Sequence, residues 1–203
     1  MTGAVADARA AACAHRNAVA TRLSPRTARA AVLCEINSAR ARAGLRPLVP
    51  DARLALAARR HARDMVARRY FDHVSLDGRD VVRRVRDAGY LRRSVTWSIS
   101  EVIGWAEAGA ATPAVIVAAW LNSPPHREAI LSPVYLAAGV GIAAGTPRAD
   151  LPRGATFDVD VGAVRCRLRS GARWRSPTTS AAHARASRRP RAACGSTSTR
   201  SGR

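Results

Sequence analysis

The chain has 203 residues, 47% of them hydrophobic, enough for one sizeable core and one ordinary domain with extra material. All 34 basic residues are arginines against 14 acids, a formal charge of +20; eleven of them lie between Arg165 and Arg203, where no carboxylate occurs, so residues 1–162 carry +9 (20 less 11). No run of 18 or more apolar residues occurs, which excludes a membrane-spanning helix, and arginine content without any lysine is weak ground for a nucleic-acid partner.

The first 20 residues are alanine-rich, but Asp7, Arg9, His15 and Arg16 interrupt the apolar centre that an export signal needs. Cys13 and Cys34 flank Pro25; a bridge between them would require an oxidising compartment, whereas two free or buried thiols would not. Four cysteines allow three full pairings, and the sequence alone does not choose among them. Thr27 to Ala43 places Ala28, Ala31, Val32, Ile36 and Ala39 on one stripe and stops at Gly44, which predicts a helix. Asp51 is the expected N-cap of a second helix, whose apolar face runs Leu54, Ala57, Ala58, His61, Ala62, Met65 and Val66. His61 lies within that face and reads as a buried, hydrogen-bonded structural histidine.

The stretch FDHVSLDGR after Tyr70 is a loop bent at Asp77-Gly78, so His73 is a loop residue; Asp80 to Ala88 is a third, short helix closed by Gly89. Trp97 to Trp105 reads as a short strand. Thr112-Pro113 opens a fourth helix that runs to Trp120, and Pro124-Pro125 must end it and open another, which puts His126 in a first turn. Free N–H groups and the positive helix end there favour a neutral imidazole. VYLAAGVGIAAG and ATFDVDVG read as two antiparallel neighbouring strands, the second alternating Phe157, Val159 and Val161 against Asp158 and Asp160. Helices first and strands after predict an α+β or a layered α/β/α arrangement and not a βαβ parallel sheet. The expected divisions are an N-terminal extension over residues 1–26, a domain over 27–162 and a disordered arginine-rich tail over 163–203.

Glu101 sits among apolar neighbours, where a carboxylate needs a partner. Two histidines and a glutamate form a donor set that zinc accepts, with a fourth position left for water. Their separations in sequence are not by themselves a metal signature, and no second carboxylate is evident near them. HExxH and GxSxG are absent, and no cysteine stands near the histidines, so the common protease classes lack support.

The order CEINSARARAGLRPL, LALAARRHARDMVARRYFDHVSLDGRDVVRRVRDAGY, SEVIG, AWLNSPPHREAIL and AAGVGIA resembles bacterial members of the CAP superfamily, or SCP domains, related to cysteine-rich secretory proteins, antigen 5 and plant pathogenesis-related proteins. The resemblance covers roughly Ala28 to Gly162. It implies an α/β/α sandwich with a cleft of histidines and glutamates, in which His73, Glu101 and His126 take three of the positions, Ser123 and Trp97 support the cleft, and Cys13 pairs with Cys34 as in actinobacterial relatives. The pairing of Cys166 and Cys194 stays open. Two departures are visible: Glu101-Val102 replaces the usual Glu-Asn, and Ser123 stands nearest the place of a second glutamate found in animal and plant relatives.

The function so implied is an extracellular, monomeric binding module whose cleft takes Zn2+, another divalent cation or a small polar ligand, and whose surface meets a cell-wall, lipid or protein partner. A zinc-dependent hydrolase using His73, Glu101 and His126 is the alternative. Anionic-polymer binding through the arginine tail is a second alternative. It would be weak and salt-sensitive, and Trp174 as the tail's single aromatic gives no platform for reading bases.

Overall fold

The computed structural model describes residues 13–91 and 94–166. Helix α1 (Pro25–Arg42) starts two residues before the predicted Thr27, because Ser24 accepts from the Thr27 N–H as N-cap and Pro25 fits the first turn, where its missing N–H is not needed. After strand β1 (Val49–Pro50), Asp51 caps α2 (Ala52–Arg68) through the N–H groups of Arg53 and Leu54. Asp80 caps α3 (Val81–Asp87), and Thr112 caps α4 (Pro113–Asn122). The double proline divides α4 from α5 (Pro124–Leu131) as expected, with Ser123 between them.

Three longer strands complete the sheet: β2 (Ser94–Glu107), β3 (Ala137–Ala144) and β4 (Gly154–Cys166), in the order β1-β3-β4-β2. β3 and β4 are antiparallel neighbours with Val140 opposite Val159, as predicted; β2 is antiparallel to β4 with Glu101 opposite Asp160. Two expectations need correction. β2 is longer than Trp97 to Trp105, because β4 supplies a ladder along its whole length. The domain boundary expected at residue 162 falls inside β4, whose residue Arg165 still pairs with Thr96. The remainder of the predicted tail, residues 167–203, lies outside the described residues, as do residues 1–12 of the predicted extension.

The sheet alternation sorts the core into two layers. Val102, Val140, Phe157, Val159 and Val161 share one core with Val32 and Ile36 of α1, Ile116 and Trp120 of α4, and Ile130 of α5. Leu54 and Ala57 of α2 pack with Val85, Tyr90 and Ile99 beside the opposite face. The result is the three-layer α/β/α sandwich anticipated from the sequence. Trp120 donates its indole N–H to the Ile103 carbonyl at 2.9 Å, and buried Arg40 donates to the carbonyls of Arg46, Ile130 and Ser132, which ties the end of α1 to the end of α5. None of the described helices is long and apolar enough to cross a membrane.

Cys13 and Cys34 form a disulfide, with the Arg16–Glu35 ion pair beside it. It closes a loop with a sequence separation of 21, for which loss of chain entropy in the unfolded state corresponds to about 3 kcal/mol. Urea denaturation with and without reductant should show a loss of that size on reduction, and Cys34→Ser should remove the difference.

Candidate functional site

The loop after α2 begins at Arg69, whose left-handed backbone (φ 56°) turns the chain off the helix. Asp72 then accepts from the Val74 N–H at 2.8 Å, and the expected bend at Gly78 (φ 79°) closes between Ser75 and Arg79. Arg84 of α3 holds this loop from below. Its Nη1 donates to the carbonyls of His73 (2.9 Å) and Arg79 (2.7 Å) and to the Ser75 hydroxyl (3.3 Å), and its Nη2 donates to Glu101 Oε1. One guanidinium therefore locks the His73 loop to strand β2. Sequence reading passed over Arg84, although its place between Val81 and Val85 on one helical stripe was the available signal.

The structure brings His73 and Glu101 together, with Nδ1 2.7 Å from Oε2. Glu101 is buried, while the His73 side chain is 53% exposed. The hydrogen bond to Glu101 raises the His73 pKa, opposed by partial burial. Because the folded value is raised, the contribution of this pair to stability is fully present below the unfolded histidine value of about 6.5 and is lost as pH rises through the folded one. Half-exposed, it is screened, so its effect belongs in titration rather than in stability. Glu101→Gln should lower the His73 pKa, followed by histidine NMR titration; an unchanged value would mean the contact does not set it.

His126, in the first turn of α5, lies near enough to His73 to feel its charge. Its Nδ1 lies 2.8 Å from Ser123 Oγ. Its pKa is lowered, first by burial and then by the charge of nearby His73, both of which favour the neutral ring. Both cleft histidines are thus held through Nδ1, leaving Nε2 for a ligand, the arrangement usual for metal-binding imidazoles. Glu101, expected as a third ligand beside the two histidines, instead gives each oxygen to a protein donor, Oε2 to His73 and Oε1 to Arg84, with one lone pair left on each. Trp97 stands elsewhere: it is 44% exposed and lines a groove at the sheet end with Pro133, Val134 and Leu136.

The expectation that no second carboxylate lies near Glu101 is overturned. Asp160 is its direct partner across the sheet and Asp158 the diagonal one, both fully buried under α2. Among the described residues no N–H or hydroxyl donor reaches their four oxygens, and the group each one meets is the Glu101 carboxyl. Burial first, and then the negative charge of Glu101, push both carboxyls well above the usual range. His61 is buried as expected, with Nε2 3.0 Å from the Asp72 carbonyl. It is also one of three residues, with Glu101 and Asp158, whose ligand atoms lie within 4.8 Å of one another; among the described residues no other such group of three occurs.

Residues 33–151 match the profile of the Cysteine-rich secretory protein family. Over 105 residues the chain is 33% identical to the uncharacterized protein YkwD of Bacillus subtilis, covering 52% of this chain and 38% of that protein. Two solved structures are similar: an extracellular protein containing an SCP domain from Bacillus anthracis (TM-score 0.54, 21% identity, 68% of this chain and 43% of the other) and an outer surface protein from Borrelia burgdorferi (TM-score 0.53, 23% identity, 66% and 90%). The chain spans less than half the length of YkwD and of the B. anthracis protein. At these identities the structures speak for the fold. The profile takes in more than half of the chain, from α1 to the turn before β4 and through His73, Glu101 and His126, and on that ground the chain belongs to the cysteine-rich secretory protein, or CAP, family.

Proposed function

We propose that the chain is an extracellular binding module whose cleft, framed by His73 and His126, takes a divalent cation or a small polar ligand. The observation that carries this reading is the His73–Glu101 contact at 2.7 Å, backed by Arg84. A buried carboxylate fixes one ring nitrogen and a hydroxyl fixes the ring nitrogen of the second histidine, so two Nε2 atoms stand at the cleft with their orientation set before any ligand arrives. Glu101 acts here as the group that orients His73. Zn2+ at the two Nε2 atoms would polarise a bound water or a ligand oxygen. The raised His73 pKa adds a condition, since a proton on Nε2 competes with the metal and binding must strengthen as pH rises through that value. An extracellular setting agrees with the disulfide and with the descriptions of the similar Bacillus and Borrelia proteins.

The test is calorimetric titration of Zn2+ into the full chain at pH 6 and pH 8, beside His126→Ala. Binding near one equivalent at this cleft, stronger at the higher pH and lost in the variant, is the expected result. Equal binding by both proteins would remove the cleft as the site.

A further inference from the structure

Behind the cleft lies a group of side chains that the outer histidines do not explain. Asp158 and Asp160 project from the same face of β4, the central strand, between Glu101 on β2 and the small residues Gly139 and Gly141 on β3. Both aspartates are 0% exposed, no N–H or hydroxyl donor among the described residues reaches their four oxygens, and the partner each one meets is another acid, Glu101, with which a hydrogen bond needs an added proton. Leaving one buried polar group unpaired is costly, and leaving two carboxyls so on one strand is rare in folded proteins.

We propose that His61, Glu101 and Asp158, whose ligand atoms lie within 4.8 Å of one another, form a buried site for one divalent transition-metal cation, with the charge of Asp160 beside it, distinct from the His73–His126 cleft and sharing only Glu101 with it. Charge agrees with this assignment. Three carboxylates against the single guanidinium of Arg84 leave a formal charge of −2, which one divalent ion cancels. Without the ion, the same balance requires two protons.

The chemistry of the donors agrees as well. A carbonyl can only accept, so the His61 Nε2 contact to Asp72 O assigns the ring proton to Nε2 and makes Nδ1 the ring's accepting nitrogen. Around Nδ1 stand only the long contacts from the Ser75 hydroxyl (3.3 Å) and the Tyr70 hydroxyl (3.4 Å). An imidazole whose second nitrogen is held by a backbone carbonyl is pre-set as a metal ligand. One imidazole with carboxylates suits Mn2+, Fe2+ or Zn2+ better than Ca2+ or Mg2+, which favour all-oxygen shells. On its outer side His61 borders a cavity of about 240 Å3 shared with Arg60, Asp64, Ser75, Arg79 and Arg84.

The test uses the full chain freed of metal and titrated with Mn2+, read by electron paramagnetic resonance, and with Zn2+, read by calorimetry, with Tm recorded before and after. Four proteins are compared: wild type, the double variant His73→Ala/His126→Ala, Asp158→Asn and Asp160→Asn. The amides are isosteric with the acids they replace, and an apo Tm no lower than that of wild type shows that they fold. Wild type and the double histidine variant should each bind one Mn2+ at the buried site and gain Tm, while each amide variant loses about 100-fold or more in affinity for it. Retention of that binding by both amide variants, or its loss in the double histidine variant, overturns the buried site. In the second case the metal belongs to the outer cleft and the proposed function stands without this inference. Binding lost only in the amide variants upholds the buried site and removes the outer one. No Mn2+ or Zn2+ binding by wild type overturns the buried site and leaves the cleft without a metal.

Discussion

Arg84→Ala is expected to destabilise the fold by about 3–5 kcal/mol, because removing one partner of a buried ion pair leaves the other charge uncompensated. The Arg84 and Glu101 side chains are only 5% and 2% exposed, so water cannot take the place of the missing guanidinium. The loss extends beyond the pair. The carbonyls of His73 and Arg79 and the hydroxyl of Ser75 would lose their common donor, and the loop that presents His73 would open. Urea denaturation should give the stability change. Native-state hydrogen exchange should show the Ser75 and Gly78 amides, which close the bend, losing protection ahead of the sheet. A double variant Arg84→Met/Glu101→Gln should recover part of the loss, since it removes the charge along with its partner. If Arg84→Ala unfolds at the wild-type midpoint, the guanidinium is not what holds the loop.

Gly141→Ala should cost roughly 3 kcal/mol or more, at the upper end of overpacking effects, and lower Tm by roughly 6–12 °C for a chain of this size. A Cβ on residue 141 would stand 2.2 Å from the Ala58 carbonyl carbon and 2.3 Å from the Arg59 nitrogen, both backbone atoms that cannot rotate away. At Gly139 the same atom would meet the Ala55 nitrogen at 2.0 Å. These two glycines face Asp158 and Asp160 across the ladder and let α2 lie directly on β3. That close approach carries His61, on the same helix, down to Glu101 and Asp158. The clash therefore predicts a second effect, a wider gap between His61 and the carboxylates. Gly109→Ala, where a Cβ meets nothing within 4 Å, is the control and should stay within about 0.5 kcal/mol of wild type. Thermal denaturation of the two variants side by side decides the matter; equal midpoints would mean that α2 is not seated as described.

Local chemistry made most of the helices legible in the sequence. Ser24, Asp51, Asp80 and Thr112 each cap a helix, and the stripe through Leu54, Ala58 and Met65 is the face that is buried. The place of His126 followed from two prolines that no helix interior accepts. β1 escaped notice because two residues carry no period, and it exists only through pairing with Ala137 and Ala138. Asp158 and Asp160 were visible as an alternation, but alternation ordinarily marks a strand with one wet face. Whether that face is wet depends on which strand is central and on what covers it, and both facts are set by α2 far away in the chain. Arg84 was obscured for a related reason: VVRRVRD offers three arginines, and beyond its place on the stripe of Val81 and Val85 it is packing against the His73 loop that singles out the middle one. The family resemblance is what pointed to His73, Glu101 and His126 as one group. It did not carry the acids of β4.

The most direct test of the central claim is a two-dimensional histidine side-chain NMR experiment on the uniformly 15N-labelled full chain, recorded while one equivalent of Zn2+ is added at pH 8. The structure predicts that the Nε2 signals of His73 and His126 shift together while their Nδ1 signals remain those of nitrogens held by Glu101 and Ser123. Unmoved Nε2 signals on both rings would contradict it, and the histidines would then be read as cleft structure rather than as ligands.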